Sequence, residues 1–157
     1  MGKPRAPAFD AGAIPEVTAS NYPEPFRSRV TGRHRRRLGD AGGLTHFGVN
    51  LTRLDPGSES SMRHAHAEQD EFVYVLEGEP TLVTDAGRQK LRPGMYAAFP
   101  AGSTDGHQFV NETSSQVVFL EVGDRTASEH VRYSDVDMEG RMAGGRMIFA
   151  RKDGTPY

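Results

Sequence analysis

The chain has 157 residues, 36% of them hydrophobic and 25% charged, with a formal net charge of −2. That balance fits one soluble globular domain and gives no overall electrostatic reason to expect nucleic acid or an anionic membrane as partner. There is no cysteine, which excludes disulfides, thiolate nucleophiles and Cys-ligated zinc, so any metal must take nitrogen and oxygen ligands.

In chain order, the opening MGKPRAPAFDAG lacks the apolar segment of a signal peptide, and no later run approaches the ~18 apolar residues of a membrane span. A cytoplasmic location is therefore expected. Residues 1–40 read as an extended N-terminal arm: five prolines (Pro4, Pro7, Pro15, Pro23, Pro25) interrupt them, and NYPEPF (Asn21 to Phe26) suits a segment docked on a surface. The basic run Arg33, His34, Arg35, Arg36 and Arg37 reads as a solvated stretch making ion pairs, with an anion-binding patch as the other reading.

Residues 41–125 read as strand, turn, strand. THFGVNLTRL (Thr45 to Leu54) ends at the Asp55-Pro56-Gly57 turn, and EFVYVLEG follows the histidines of RHAH. Then come PTLVT, RQKL, MYAAFP, HQFVN and SQVVFLEV, punctuated by glycine and proline turns at close to the 8–12-residue spacing of an all-β sandwich or barrel. Residues 126–157 are polar and turn-like until RMIFAR, and are expected to wrap the barrel or pair with its edge.

Alternate residues of a strand share a face, so His64 and His66 can present both imidazoles to one point while Arg63 and Ala65 face away. A bend through Ala67 to Asp70 can return the Glu71 carboxylate to that point. Asp70 is out of phase, and it and Glu68 read as loop acids. His107 begins a further predicted strand. His34, His46 and His130 read as surface or packing residues. With Glu71 inward, Val73 and Val75 would line the cavity and Phe109 would follow His107 into it, whereas Met95, Tyr96 and Phe99 read as core. Phe72, Tyr74 and Leu76 would face outward and need cover from the arm or from a second subunit, hence an expected homodimer.

Gly57 to Gly78 reads G-x6-H-x-H-x4-E-x6-G, and Gly94 to Asn111 reads G-x5-P-x-G-x4-H-x3-N. Together they resemble the two motifs of the cupin superfamily, small β-barrels of the jelly-roll (double-stranded β-helix) type. The resemblance spans Thr45 to Gly123 with some margin, and implies that His64, His66, Glu71 and His107 ligate one metal, with Gly57, Gly78, Gly94, Pro100, Gly102 and Asn111 in structural roles. The gap before His64 is one residue longer than usual and STDG before His107 two residues longer.

Such ligands suit a divalent transition ion, Mn, Fe, Co, Ni or Zn, without choosing among them. The resemblance implies enzyme classes spanning dioxygenases, decarboxylases, sugar isomerases and lyases, along with non-catalytic members. The expected function is a metal-dependent enzyme acting on a small oxygenated molecule. Its competitor is a sensor or carrier that holds a metal or metabolite without turnover. A storage-type barrel fits poorly with retained ligands, and no helix-turn-helix pattern accompanies the basic run to suggest nucleic acid.

Overall fold

The computed structural model describes residues 7–157; residues 1–6, the start of the expected arm, lie outside them. Twelve strands are present among the described residues: β1 Arg33–Arg37, β2 Phe47–Leu54, β3 His64–His66, β4 Glu71–Glu77, β5 Thr81–Thr84, β6 Gly87–Lys90, β7 Tyr96–Phe99, β8 Gln108–Val110, β9 Val117–Asp124, β10 His130–Tyr133, β11 Glu139–Ala143 and β12 Arg146–Ala150. One wall is a five-stranded sheet in the order β1-β2-β9-β4-β7. The other joins a four-stranded sheet, β12-β11-β10-β3, to a three-stranded one, β6-β5-β8, through the bridge from His64 to His107. Every pairing is antiparallel, so the fold is an all-β barrel of jelly-roll type.

Two apolar clusters hold the walls together. Leu54, Val73, Val75, Leu82, Leu91, Phe109, Val117 and Phe119 fill one end. Tyr22, Val30, Met62, Val131, Tyr133 and Met138 form the second. In the second cluster the arm reaches the tail: the Tyr22 ring lies 5.9 Å from that of Tyr133 and 5.4 Å from that of Phe149. NYPEPF is thus a docked segment whose prolines keep it out of the sheets.

Two sequence expectations change. The basic run is not a solvated stretch of arm: it is β1, paired along its whole length with β2 from Arg33 opposite Leu54 to Arg37 opposite Asn50. Charge concealed the strand, because the alternation of Arg33, Arg35 and Arg37 against His34 and Arg36 carries no hydrophobic signal. The tail pairs with the barrel's edge, β10 adding to β3 and β11 to β10. Tyr96 is not core: it is 64% exposed and stacks on Phe72 on the outer face. Phe72, Tyr74 and Leu76 are exposed there as well, and the arm packs elsewhere.

Two motif residues show why they stand where they do. Gly78 has φ +75°, and a Cβ there would meet the Gln116 carbonyl oxygen at 2.7 Å, so only glycine lets the end of β4 pass the start of β9. Asn111 is fully buried; its Nδ2 donates to the Leu54 and Ser115 carbonyls at 3.1 and 2.7 Å, and its Oδ1 accepts from the Thr113 amide at 3.0 Å. One side chain closes the loop between β8 and β9 against β2.

Candidate metal centre

The strand alternation predicted for RHAH is present. Ala65 pairs with Arg132 on one face of β3, while His64 pairs with Tyr133 and His66 with Val131 on the other. Both imidazoles therefore face into the barrel. Ala67 to Asp70 turn the chain into the next sheet, and Glu71 opens β4 on the inward face, in register with Gly123 of β9 and Phe99 of β7.

One ligand atom each from His64, His66 and Glu71 lies within 4.8 Å of the others. Nε2 of His66 is 3.3 Å and Nε2 of His64 is 3.9 Å from the same carboxylate oxygen, Oε2 of Glu71. His107 Nε2 reaches that oxygen at 3.0 Å, with its ring centroid 4.6 Å from that of His64 and 6.3 Å from that of His66. Phe99 stacks flat on the His107 ring at 3.6 Å, which fixes its plane.

The donor set fits a divalent transition ion. His64 Nδ1 donates to the Met62 carbonyl at 2.9 Å, which leaves its Nε2 as a lone pair facing a carboxylate oxygen. Two electron-rich atoms turned toward each other in a buried site want a cation between them. The electrostatics leave His64 neutral and Glu71 ionised. Burial pushes His64 down to about 3, with His107 adding to the effect against Glu71. For Glu71 burial works upward, but the imidazoles of His107 and His66 outweigh it and hold the carboxyl well below the usual range. For His66 burial works downward and is overcome by Glu71 and Glu129, so its pKa is raised.

Glu129 is the residue the sequence did not announce. Its side chain is fully shielded from solvent, its Oε1 accepts the backbone amides of Ala67, Glu68 and His130 at 3.0, 3.2 and 2.7 Å, and its Oε2 stands 3.5 Å behind His66 Nδ1. A carboxylate there selects the His66 tautomer whose Nε2 is free to ligate. It escaped notice because it sits just before β10, a strand with no sequence signature, 63 residues downstream of the histidine it faces. The loop acids are elsewhere: Glu68 accepts from Ser128 Oγ at 2.5 Å and Asp70 from the Ala101 amide at 2.7 Å. His34 lies against Asp55 and Glu16, and His130 against Glu139.

The histidines and Glu71 form one wall of a cavity of about 450 Å³ between the two apolar clusters. Phe109 lines it, whereas Val73 and Val75 are wholly buried in the core beyond it. Much of the lining is polar and comes from the five-stranded sheet: Arg33, Arg35 and Arg37 of β1, Asn50 of β2 and Glu121 of β9. Glu121 is only 9% exposed, and its Oε2 accepts from Thr52 Oγ1 at 2.7 Å. It was missed because SQVVFLEV reads as a plain apolar strand.

A jelly-roll barrel carrying an inward histidine–glutamate group that could hold a metal is the class these observations define. The family model described as a cupin domain matches residues 50–123. The chain is 50% identical, over 96% of both chains and with a TM-score of 0.93, to a sugar phosphate isomerase of the cupin superfamily from Silicibacter pomeroyi. A protein from Acidithiobacillus ferrooxidans, provisionally described as a sugar phosphate isomerase, is 29% identical over 81% of this chain and 82% of its own, with a TM-score of 0.73. A polyketide cyclase from Streptomyces resistomycificus shares the fold at 22% identity over 84% of this chain and 87% of its own, with a TM-score of 0.67. No curated protein gives a significant match. The chain belongs to the cupin superfamily. Among the described residues no helix is long and apolar enough to cross a membrane.

Proposed function

We propose that this cupin is a metal-dependent enzyme that isomerises a small phosphorylated sugar, with a divalent transition ion held by His64, His66, Glu71 and His107. The observation that carries the reading is the convergence of three imidazoles on one buried carboxylate oxygen at the wall of a polar cavity. The relative from Silicibacter pomeroyi, half identical over nearly its full length, supplies the reaction class.

A bound ion would polarise a carbonyl or hydroxyl of the substrate and favour the negative charge that develops on oxygen during isomerisation. The chain's own residues do the rest. His64, its Nδ1 proton on the Met62 carbonyl, keeps its ligating nitrogen unprotonated, and Glu129 stands behind His66 to orient its ring. Aldose–ketose interconversion moves a proton between neighbouring carbons and needs one group to take it and return it. Glu121 is assigned that work: Thr52 holds Oε2, and Oε1 has no hydrogen-bond partner among the described residues and belongs to a side chain lining the cavity.

The test is metal analysis of the purified protein alongside a His64→Ala/His66→Ala variant, followed by exchange of sugar-phosphate carbon-bound protons in deuterated water, read by proton NMR. Loss of metal in the variant, with exchange in the wild type, is expected. Equal metal in both would remove the site assignment. Bound metal with no exchange across aldose and ketose phosphates would favour the sensor or carrier reading.

A further inference from the structure

The two faces of β1 carry cations of different standing. On the outer face, His34 Nε2 lies 2.9 Å from Asp55 Oδ2 and Arg36 Nη2 is 3.3 Å from Glu16 Oε1. Arg36 also donates to the Gly12 carbonyl at 3.0 Å. These charges are spent on the arm and on the turn after β2. On the inner face, Arg33, Arg35 and Arg37 all line the cavity that holds the histidine–glutamate group.

None of the three inner guanidiniums has a hydrogen-bonded carboxylate among the described residues. Arg33 is buried and donates to the Ser60 carbonyl at 2.5 Å. Arg35 Nε is shielded from solvent without a hydrogen bond, 3.5 Å from Glu121 Oε2. Among the described residues the Arg37 guanidinium has neither hydrogen bond nor ion pair. The other charged groups lining the cavity are Arg125, paired with Asp40, and the carboxylates of Asp70 and Asp124, each of which accepts a backbone amide. With a divalent ion held by the histidines and Glu71 the lining would carry a net positive charge, and three of its four arginines stand together on β1.

We propose that Arg35 and Arg37, with Arg33 behind them, form the subsite that takes the phosphate of a phosphomonoester substrate, leaving its oxygenated carbons toward His64, His66 and Glu71. The choice of a phosphomonoester rests on the isomerase reading; an anion in this place rests on the cavity alone. β1 and β4 are three strands apart in one sheet, roughly 14 Å between backbones at about 4.8 Å per strand. Arginine and glutamate side chains projecting into that gap leave room for a chain of a few carbons. Two planar guanidiniums on one strand face suit the several acceptor oxygens of a phosphate dianion better than ammonium groups would.

The test uses the full-length, metal-loaded protein and isothermal titration calorimetry with inorganic phosphate, then with a phosphorylated sugar and its unphosphorylated counterpart. Wild type binds phosphate and prefers the phosphorylated sugar. Arg37→Ala weakens phosphate about tenfold, the worth of one charge-assisted contact. Arg35→Ala/Arg37→Ala abolishes the preference, while Arg88→Ala, which removes a charge paired with Glu112 away from the cavity, changes nothing. Metal content, measured in every variant, stays at the wild-type level. No phosphate binding by metal-replete wild type overturns the subsite. Binding unchanged in the double variant, or lost only when the metal is stripped, overturns it too by putting the anion on the ion. Arginine-dependent phosphate binding without sugar-phosphate turnover would uphold the subsite and remove the isomerase.

Discussion

Replacing Glu129 with Gln tests the candidate metal centre without touching a residue proposed to ligate. The amide keeps the size of the side chain and one oxygen for the three backbone amides that Glu129 Oε1 now serves. Its other end becomes an NH2 donor facing His66 Nδ1, where Oε2 now stands 3.5 Å away. Two donors cannot share that contact, so the imidazole moves its proton to Nε2, the nitrogen turned toward Glu71. The opposite amide orientation sets three backbone amides against a donor, at a cost of about 1–3 kcal/mol for a buried unsatisfied group. Supporting carboxylates of this kind are worth about 10–100-fold in metal affinity, or about 1.4–2.8 kcal/mol. Competition between the protein and a chromophoric chelator for Co(II) or Zn(II) reads the dissociation constant directly, and circular dichroism with a denaturation midpoint checks the fold. An unchanged dissociation constant in a folded Glu129→Gln protein would refute the account of His66.

Three further outcomes follow. In the metal-free protein His64 has a folded pKa of about 3, below the ~6.5 of an unfolded chain; the unfolded state binds the extra proton between those values, so stability falls as pH drops through that window, by at most about 1.4 kcal/mol per pH unit from this residue. His66 has the opposite sign, its contribution being present below ~6.5 and lost as pH rises through its raised folded value; urea titrations of chelator-treated protein should show a shallower acid-side loss in His64→Ala than in wild type, and equal slopes would contradict the assignment. Asn111→Ala orphans the Leu54 and Ser115 carbonyls and is expected to cost about 2–4 kcal/mol in a urea midpoint measurement, a loss below about 0.5 kcal/mol arguing against its role as a loop clasp. Tyr22→Ala removes a buried ring from between Tyr133 and Phe149, with about 3–5 kcal/mol lost and the arm cut earlier by protease than in wild type; arm cleavage at the wild-type rate would contradict the docking.

What was legible in the sequence was whatever local rules write down. Phase alone aimed His64 and His66 together, and glycine turns bounded β4 and β9. β1 and β10 were hidden because strand alternation is read through hydrophobicity, and here the inward positions are arginines or are split between a cavity and an arm. Glu121 and Glu129 were hidden for another reason. Their significance lies in what they face, Thr52 and Arg35 for one and His66 for the other, and partners so far apart in the chain leave no spacing to count. Val73 and Val75 were assigned to the cavity by correct phase, but phase gives the face of a strand and not the depth at which packing closes over it.

Because the ligand-type residues sit on β3, β4 and the start of β8 while the inward cations sit on β1, the two ends of the cavity are written in separate stretches of chain and on strands that do not touch. Exchanging Arg35 or Arg37 for neutral or acidic residues would redirect the barrel toward uncharged or cationic molecules with its histidine–glutamate group intact. The outer face of the same strand, fastened to the arm through Glu16, would hold the backbone in place while that drift occurred.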